Sequence, residues 1–141
     1  LAAAEGTREP VRILLADDDA DFCHLLSLSL QREFPGAEIR CVQNGHEALE
    51  EFDRHPQSVV IVDLQMPGLD GIELTGLLRA RDVNSNVPIL VITANGGAAE
   101  WKRLSQMGAD GFLVKPVHSK DVVTLVRRTL DERRITPRAL G

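Results

Sequence analysis

The stretch SVVIVDLQMPGLDG, from Ser58 to Gly71, decides the fold. Four β-branched residues, Val59 to Val62, run without polar alternation, which marks a strand buried on both faces. The run ends in Asp63, and turn signals follow at Pro67-Gly68 and Asp70-Gly71. A carboxylate placed where a buried strand stops and a Pro/Gly turn begins sits at the mouth of a sheet, not in its interior. Three other apolar runs end in the same way. Val11-Arg-Ile-Leu-Leu-Ala ends in Asp17-Asp18-Asp19, Pro88-Ile-Leu-Val-Ile in Thr93-Ala94, and Gly111-Phe-Leu-Val in Lys115-Pro116. Four strand ends thus bring polar side chains to one edge of a sheet, where an open α/β sheet binds its ligands.

The segments between these runs read as helices. Asp19 or Asp21 can cap a first helix whose Phe22, Leu25, Leu26 and Leu30 recur at helical spacing until Pro35-Gly36. Residues 37–42 alternate apolar and polar, the mark of a half-buried edge strand. Asn44-Gly45 opens a second helix with Ala48, Leu49 and Phe52 inward, stopped near His55-Pro56. A third helix is predicted from Gly71 to Arg81, a fourth from Ala98 to Met107 after the flexible joint Asn95-Gly96-Gly97, and a fifth from Ser119 to Arg133. Five strands alternating with five helices predict a single doubly wound α/β domain, with a parallel sheet and right-handed crossovers. With the second strand at the edge, the order 2-1-3-4-5 follows most simply. The expected division is a flexible N-terminal segment at residues 1–10, the domain at 11–133, and a tail or the start of a linker at 134–141.

Composition narrows the function. A chain of 141 residues, 43% of them apolar, supports one core. A formal net charge of −5 argues against nucleic-acid contact by this segment. No apolar stretch approaches the ~20 residues of a membrane span, and Leu1 to Pro10 is no signal peptide, so the expected location is cytoplasmic. The start at Leu1 suggests a domain excised from a longer chain. Cys23 and Cys41 read as small buried apolar residues in a reducing compartment, since nothing in their spacing suggests a disulfide or a metal pair. His24, His46, His55 and His118 show no convergent spacing and read as surface histidines.

The strand-end carboxylates ask for a cation. Two carboxylates ~4 Å apart repel by about 4 kcal/mol at an effective dielectric near 20. A hard divalent cation such as Mg²⁺, held by oxygen ligands and several waters at an accessible mouth, removes that repulsion. For Asp19, helix capping is the expected role.

In this order and at these intervals, the acidic pair Asp17-Asp18, the lone Asp63 in Val-Asp-Leu-Gln-Met-Pro-Gly-Leu-Asp-Gly, the Thr93-Ala94 pair and the Lys115-Pro116 pair resemble the receiver domain of bacterial two-component response regulators. The resemblance covers roughly residues 10 to 133 and implies the flavodoxin-like (βα)5 form of the fold. It implies that Asp63 accepts a phosphoryl group from a histidine kinase or phosphotransfer protein, making the chain a phosphoacceptor rather than a conventional enzyme. It also implies Mg²⁺ bound by Asp17, Asp18, Asp63 and the backbone carbonyl of Gln65. Lys115, followed by a cis peptide bond to Pro116, and the Thr93 hydroxyl would serve the phosphoryl oxygens, with Ala94 leaving them room. Phe112 occupies the position of a switch aromatic. Many relatives carry Tyr there, and this chain has no tyrosine, so a hydroxyl contact from that ring is lost. Family placement puts Trp101 on a signalling face formed by the fourth helix, fifth strand and fifth helix, as a partner anchor or as packing on its own domain. A fused output domain, a partner protein or a phosphorylation-dependent dimer would read the signal.

Two rival readings stay open at this point. Asp17-x-Asp19 fits the first half of the motif of haloacid dehalogenase phosphatases, which also use an aspartate nucleophile and Mg²⁺, but Asp21 stands where that motif needs Thr. A receiver-like scaffold that binds proteins without phosphorylation is the other.

Overall fold

The computed structural model describes residues 10–94 and 97–135. In chain order the elements are β1 (Arg12–Ala16), α1 (Ala20–Glu33), β2 (Glu38–Val42), α2 (Gly45–Arg54), β3 (Val59–Asp63), α3 (Gly71–Arg79), β4 (Ile89–Thr93), α4 (Ala98–Gln106), β5 (Gly111–Val114) and α5 (Ser119–Ile135). All strand pairs are parallel, in the order β2-β1-β3-β4-β5. The expected flavodoxin-like α/β architecture is therefore present. Its predicted joint at Asn95-Gly96 lies outside the described residues, as do residues 1–9 and 136–141.

Strand alternation sorts the core into two layers. Leu14 and Ala16 of β1, Val60 and Val62 of β3, and Ile89 and Val91 of β4 pack with Ala48, Phe52, Leu74, Leu78 and Leu104 from α2, α3 and α4. Ile13, Leu15, Val59, Ile61, Leu90 and Ile92 point to the other face, against Cys23, Leu26 and Leu30 of α1 and Val122, Val123 and Val126 of α5. Every residue of β3 and β4 is buried, whereas β2 alternates exposed and partly buried positions, as an edge strand should.

Local chemistry fixes the helix starts beside the site. Asp19 caps α1 by accepting from the Phe22 amide at 3.1 Å, so of the two candidate caps Asp19 holds the role. Asn44 caps α2 in the same way, and Asp70 and Glu73 form a reciprocal capping box on α3. Gly71 is required at the first turn of α3: a Cβ there would lie 2.6 Å from the Asp63 carbonyl oxygen and 2.7 Å from the Leu64 Cα. The absent side chain lets α3 start directly against the strand end that carries Asp63.

Leu25 departs from expectation. The inward stripe of α1 is Cys23, Leu26 and Leu30, and Leu25 falls one position outside it, 62% exposed. Likewise α3 ends at Arg79, two residues before the predicted end, while Arg81 turns away to form a two-pronged contact with Asp53.

Arg79 holds the opposite end of the sheet together. Its guanidinium donates to the carbonyls of Ser85, Val87 and Gly108 and to the Asp110 carboxylate, at 2.6 to 3.1 Å. The same Asp110 oxygen accepts from the Ile89 amide at 2.8 Å, which ties the cluster to the start of β4. Arg79→Met keeps most of the stem but strips donors from three carbonyls and one carboxylate. The expected loss is about 2 kcal/mol, since hydrogen bonds to charged groups contribute roughly 1.5–3 kcal/mol each and the loop carbonyls can partly rehydrate. A urea midpoint shifted downward with an unchanged slope is the result that checks it.

Candidate functional site at the carboxyl ends of the strands

Asp17 follows β1 and Asp63 ends β3, and the two strands are hydrogen-bonded neighbours. Both carboxylates are buried, 4% and 3% exposed, while Asp18 faces solvent. One carboxylate oxygen from each of the three lies within 4.8 Å of the others. Lys115, just beyond β5, reaches across the mouth to sit 3.2 Å from Asp63 Oδ2 and 3.7 Å from Asp17 Oδ2. The remaining oxygens are held from the backbone, Asp17 Oδ1 by the Asp19 amide at 2.9 Å and Asp63 Oδ1 by the Gln65 amide at 3.1 Å. The Lys115–Pro116 peptide bond is cis.

This arrangement fits a hard cation. Asp17 Oδ2 is buried without a hydrogen-bond partner, a costly state for a charged oxygen. One ammonium faces three carboxylates, so the cluster is left electrostatically short of positive charge. Burial first, then repulsion from Asp63, pushes Asp17 up from 3.8 to about 6, against the opposing pull of the Asp19 amide and Lys115. Burial disfavours the Lys115 ammonium, but the Asp17 charge and the hydrogen bond and charge of Asp63 outweigh it and hold Lys115 above its ordinary value. All-oxygen ligands, two buried and one exposed, at an open mouth suit Mg²⁺, which keeps several waters.

A groove of about 520 Å³ lies elsewhere, lined by Val11, Ser58, Asn84, Pro88 and Leu130. Those positions precede β1, β3 and β4, so the groove opens at the amino ends of the strands, away from the carboxylates.

Known proteins resemble this chain. The chain matches the response regulator receiver domain over residues 13–127. It is 37% identical over 128 residues to the response regulator MprA of Mycolicibacterium vanbaalenii, covering 91% of this chain and 53% of that protein. It is 33% identical to the sensor protein GacS of Pseudomonas syringae, covering 86% of this chain and 13% of GacS. Among solved structures, the chemotaxis protein CheY4 of Vibrio cholerae superposes with a TM-score of 0.80 at 27% identity, over 86% of this chain and all of that one. The chain belongs to the response regulator receiver domain family. It spans about half the length of curated relatives such as MprA and RegX3.

Within this receiver, Thr93 ends β4, buried to 3% exposure, and its carbonyl accepts from the Lys115 amide at 2.8 Å. Ala94 is exposed. Phe112 pairs in register with Val91 and is partly buried against the α4 side of the core. Trp101, expected either as a partner anchor or as packing on its own domain, is half-buried and stacks on Phe112, with ring centroids 4.8 Å apart and planes inclined by 19°. Its ring is therefore engaged with its own domain. Gln65 is exposed beside Asp63, joined to it through its amide.

Spacing alone marks Phe22 only as part of the apolar stripe of α1. Its ring also faces the site, with the Lys115 ammonium 5.8 Å from the centroid, within cation–π range. A signal existed in the sequence: Phe22 lies one turn after Asp18, on the helix that leaves the acidic strand end.

The raised Asp17 value gives the metal-free receiver a particular pH profile. The folded chain holds that proton until about pH 6, whereas the unfolded chain releases it near 3.8. Between those values the folded state binds more protons, so this group lowers stability as pH rises, and the penalty is complete above pH 6. Two units correspond to on the order of 2–3 kcal/mol. Asp17→Asn should consequently gain stability over the wild type in metal-free buffer at pH 7 and lose that advantage near pH 4. Added Mg²⁺ should raise the wild-type melting temperature more at pH 7 than at pH 5. Thermal melts of both proteins across this range provide the check.

Proposed function

We propose that this receiver is a phosphorylation-dependent signalling switch in which Asp63 takes a phosphoryl group from the phosphohistidine of a histidine kinase or phosphotransfer protein. The observation that carries this reading is the Lys115 ammonium set between the Asp63 and Asp17 carboxylates, beside an Asp17 oxygen that has no hydrogen-bond partner. As the Asp63 oxygen forms its bond to phosphorus, the bond from phosphorus to the histidine nitrogen breaks, and the imidazole leaves with that electron pair. The transferring group spreads negative charge over its equatorial oxygens, so positioning and cationic stabilisation supply most of the acceleration. Lys115 offers its ammonium to those oxygens, and Phe22 limits where that ammonium can go. Asp17, Asp18, Asp63 and the Gln65 carbonyl would hold Mg²⁺, which when bound offsets the charge of both carboxylates and phosphoryl group. Thr93 offers a hydroxyl donor, and Ala94 is small enough to leave the phosphoryl group space.

The same site would favour later hydrolysis of the aspartyl phosphate, so the domain sets its own reset. The phosphatase reading loses support because Asp19 is engaged as a helix cap and Asp17, not Asp19, faces Asp63. The test is intact mass after incubation with a small acyl phosphate and Mg²⁺: one acid- and base-labile phosphoryl group should be gained, without continuing turnover of phosphomonoesters. No labelling at all would favour the scaffold reading.

Output runs through Thr93 and the α4, β5 and α5 face. A phosphoryl group adds about −1.5 to −2 charges at Asp63. It would draw the Thr93 hydroxyl inward and give Phe112 room to rotate, which disturbs the stack with Trp101. As the sole tryptophan, Trp101 reports this directly. Beryllofluoride with Mg²⁺ should change the fluorescence of the wild type. Thr93→Ala should keep its phosphoryl labelling while losing most of that change. An undiminished fluorescence response in Thr93→Ala would show that the signal leaves the site by another route.

A further inference from the structure

Cys23 and Cys41 stand 18 positions apart in the chain, yet the β1–α1–β2 crossover brings them into one packing layer. Cys23 lies near the start of α1 and is 1% exposed, while Cys41 sits on the edge strand β2 and is partly exposed. The Cys41 thiol donates to the Cys23 carbonyl at 3.3 Å. The Cys23 thiol donates to the backbone carbonyl of Asp17 at 3.7 Å. Both are free thiols. With the Cys41 sulfur in contact with the Cys23 backbone, the two residues lie side by side, as a disulfide requires.

We propose that Cys23 and Cys41 form a redox site that peroxide closes into an intramolecular disulfide beside the acidic cluster. Cys41 is the attacking sulfur, because its edge-strand position is reached from solvent and that of Cys23 is not. The neighbouring Cys23 side chain first, with Ser27 and Arg40, also holds the Cys41 thiol down at about 7 despite its partial burial, where an appreciable fraction is thiolate near neutral pH. Hydrogen peroxide is the oxidant. The Cys41 thiolate attacks one peroxide oxygen, the O–O bond breaks, and hydroxide leaves as water after taking up a proton. The Cys23 sulfur then attacks the Cys41 sulfenic acid, forming the S–S bond as the S–O bond breaks. A second water leaves with the Cys23 proton. Two electrons from the thiol pair have reduced one peroxide to two waters.

Position gives this chemistry its consequence. Closing the bond removes the Cys23 S–H from the Asp17 carbonyl and ties α1 to the edge strand. Oxidation therefore acts on the strand end that carries Asp17. In a reducing compartment such a bond is transient, which is the behaviour of a redox sensor rather than a structural staple.

The experiment treats the wild-type chain with near-stoichiometric hydrogen peroxide, then alkylates it and maps peptides without reductant. The expected product has lost two hydrogens, resists alkylation, contains a peptide linked through Cys23 and Cys41, and recovers both thiols with dithiothreitol. In Cys23→Ser the reaction should stop at a Cys41 sulfenic acid that dimedone traps. Three results would overturn the proposal: both thiols still alkylated in the folded protein, over-oxidation of Cys41 without a cross-link, or disulfides only between molecules.

Discussion

Asp63→Asn is expected to abolish phosphoryl incorporation while leaving a folded, more stable metal-free domain. Both halves follow from the same geometry. The amide is close in size to the carboxylate it replaces, so the close approach of Gly71 to the Asp63 carbonyl is undisturbed. Its oxygen can still accept from the Gln65 amide, as Asp63 Oδ1 does at 3.1 Å. What disappears is the anionic oxygen that the proposed transfer requires, and neither neighbouring carboxylate is placed to replace it. Asp17 is turned into the Asp19 amide and buried, and Asp18 is exposed to solvent. Removing the Asp63 charge also removes a repulsion that pushes Asp17 upward, so its carboxylate should titrate closer to the ordinary range. A stability gain of about 1 kcal/mol at pH 7 is a reasonable scale, because a shift of one pKa unit is worth about 1.4 kcal/mol. Intact mass measures labelling, and thermal melts measure the gain. Labelling of Asp63→Asn at the wild-type level would remove the central assignment, whatever the melts show.

The β1, β3 and β4 strands were legible because burial on both faces leaves polar residues only at their ends, and a run such as Val59 to Val62 has little other physical explanation. The edge strand β2 was legible for the converse reason, its alternation from Glu38 to Val42. Once the strand ends are known, parallel pairing brings Asp17, Asp63, Thr93 and Lys115 to one edge, so the site's location needs no coordinates. The missing parts all depend on side-chain direction or on backbone partners. Arg79 reads as an ordinary last-turn arginine, since its acceptors are mostly carbonyls that carry no sequence signal. Leu25 fits an apolar helical pattern but falls just outside the inward stripe. Cys23 and Cys41 looked unrelated because their separation reflects the length of a crossover, and only the docking of α1 on β2 brings them together. Trp101 was open between partner and core for the same reason: the ring that it stacks on, Phe112, lies in another element.

Asp18→Ala should weaken Mg²⁺ binding by roughly a hundredfold or more without costing stability, and this pairing makes it the most discriminating metal test. Asp18 is exposed and supplies the third oxygen of a cluster whose members lie within 4.8 Å of one another. A unit charge at ~4 Å is worth about 4 kcal/mol per opposing charge at an effective dielectric near 20. Solvent at this exposed position and a replacement water ligand return part of that, leaving a deficit of at least about 3 kcal/mol, or a hundredfold in affinity. Asp17 is less suited to the test: its buried Oδ1 accepts from the Asp19 amide, so truncation would disturb the turn into α1 together with the metal. Calorimetric titration at neutral pH, beside a urea unfolding curve in chelator, separates the two effects. Lost binding with an unchanged unfolding midpoint is the expected pair of results. Wild-type Mg²⁺ affinity in Asp18→Ala would mean that the exposed carboxylate is only part of the solvated approach to α1, and that the buried Asp17 and Asp63 carboxylates hold the ion without it.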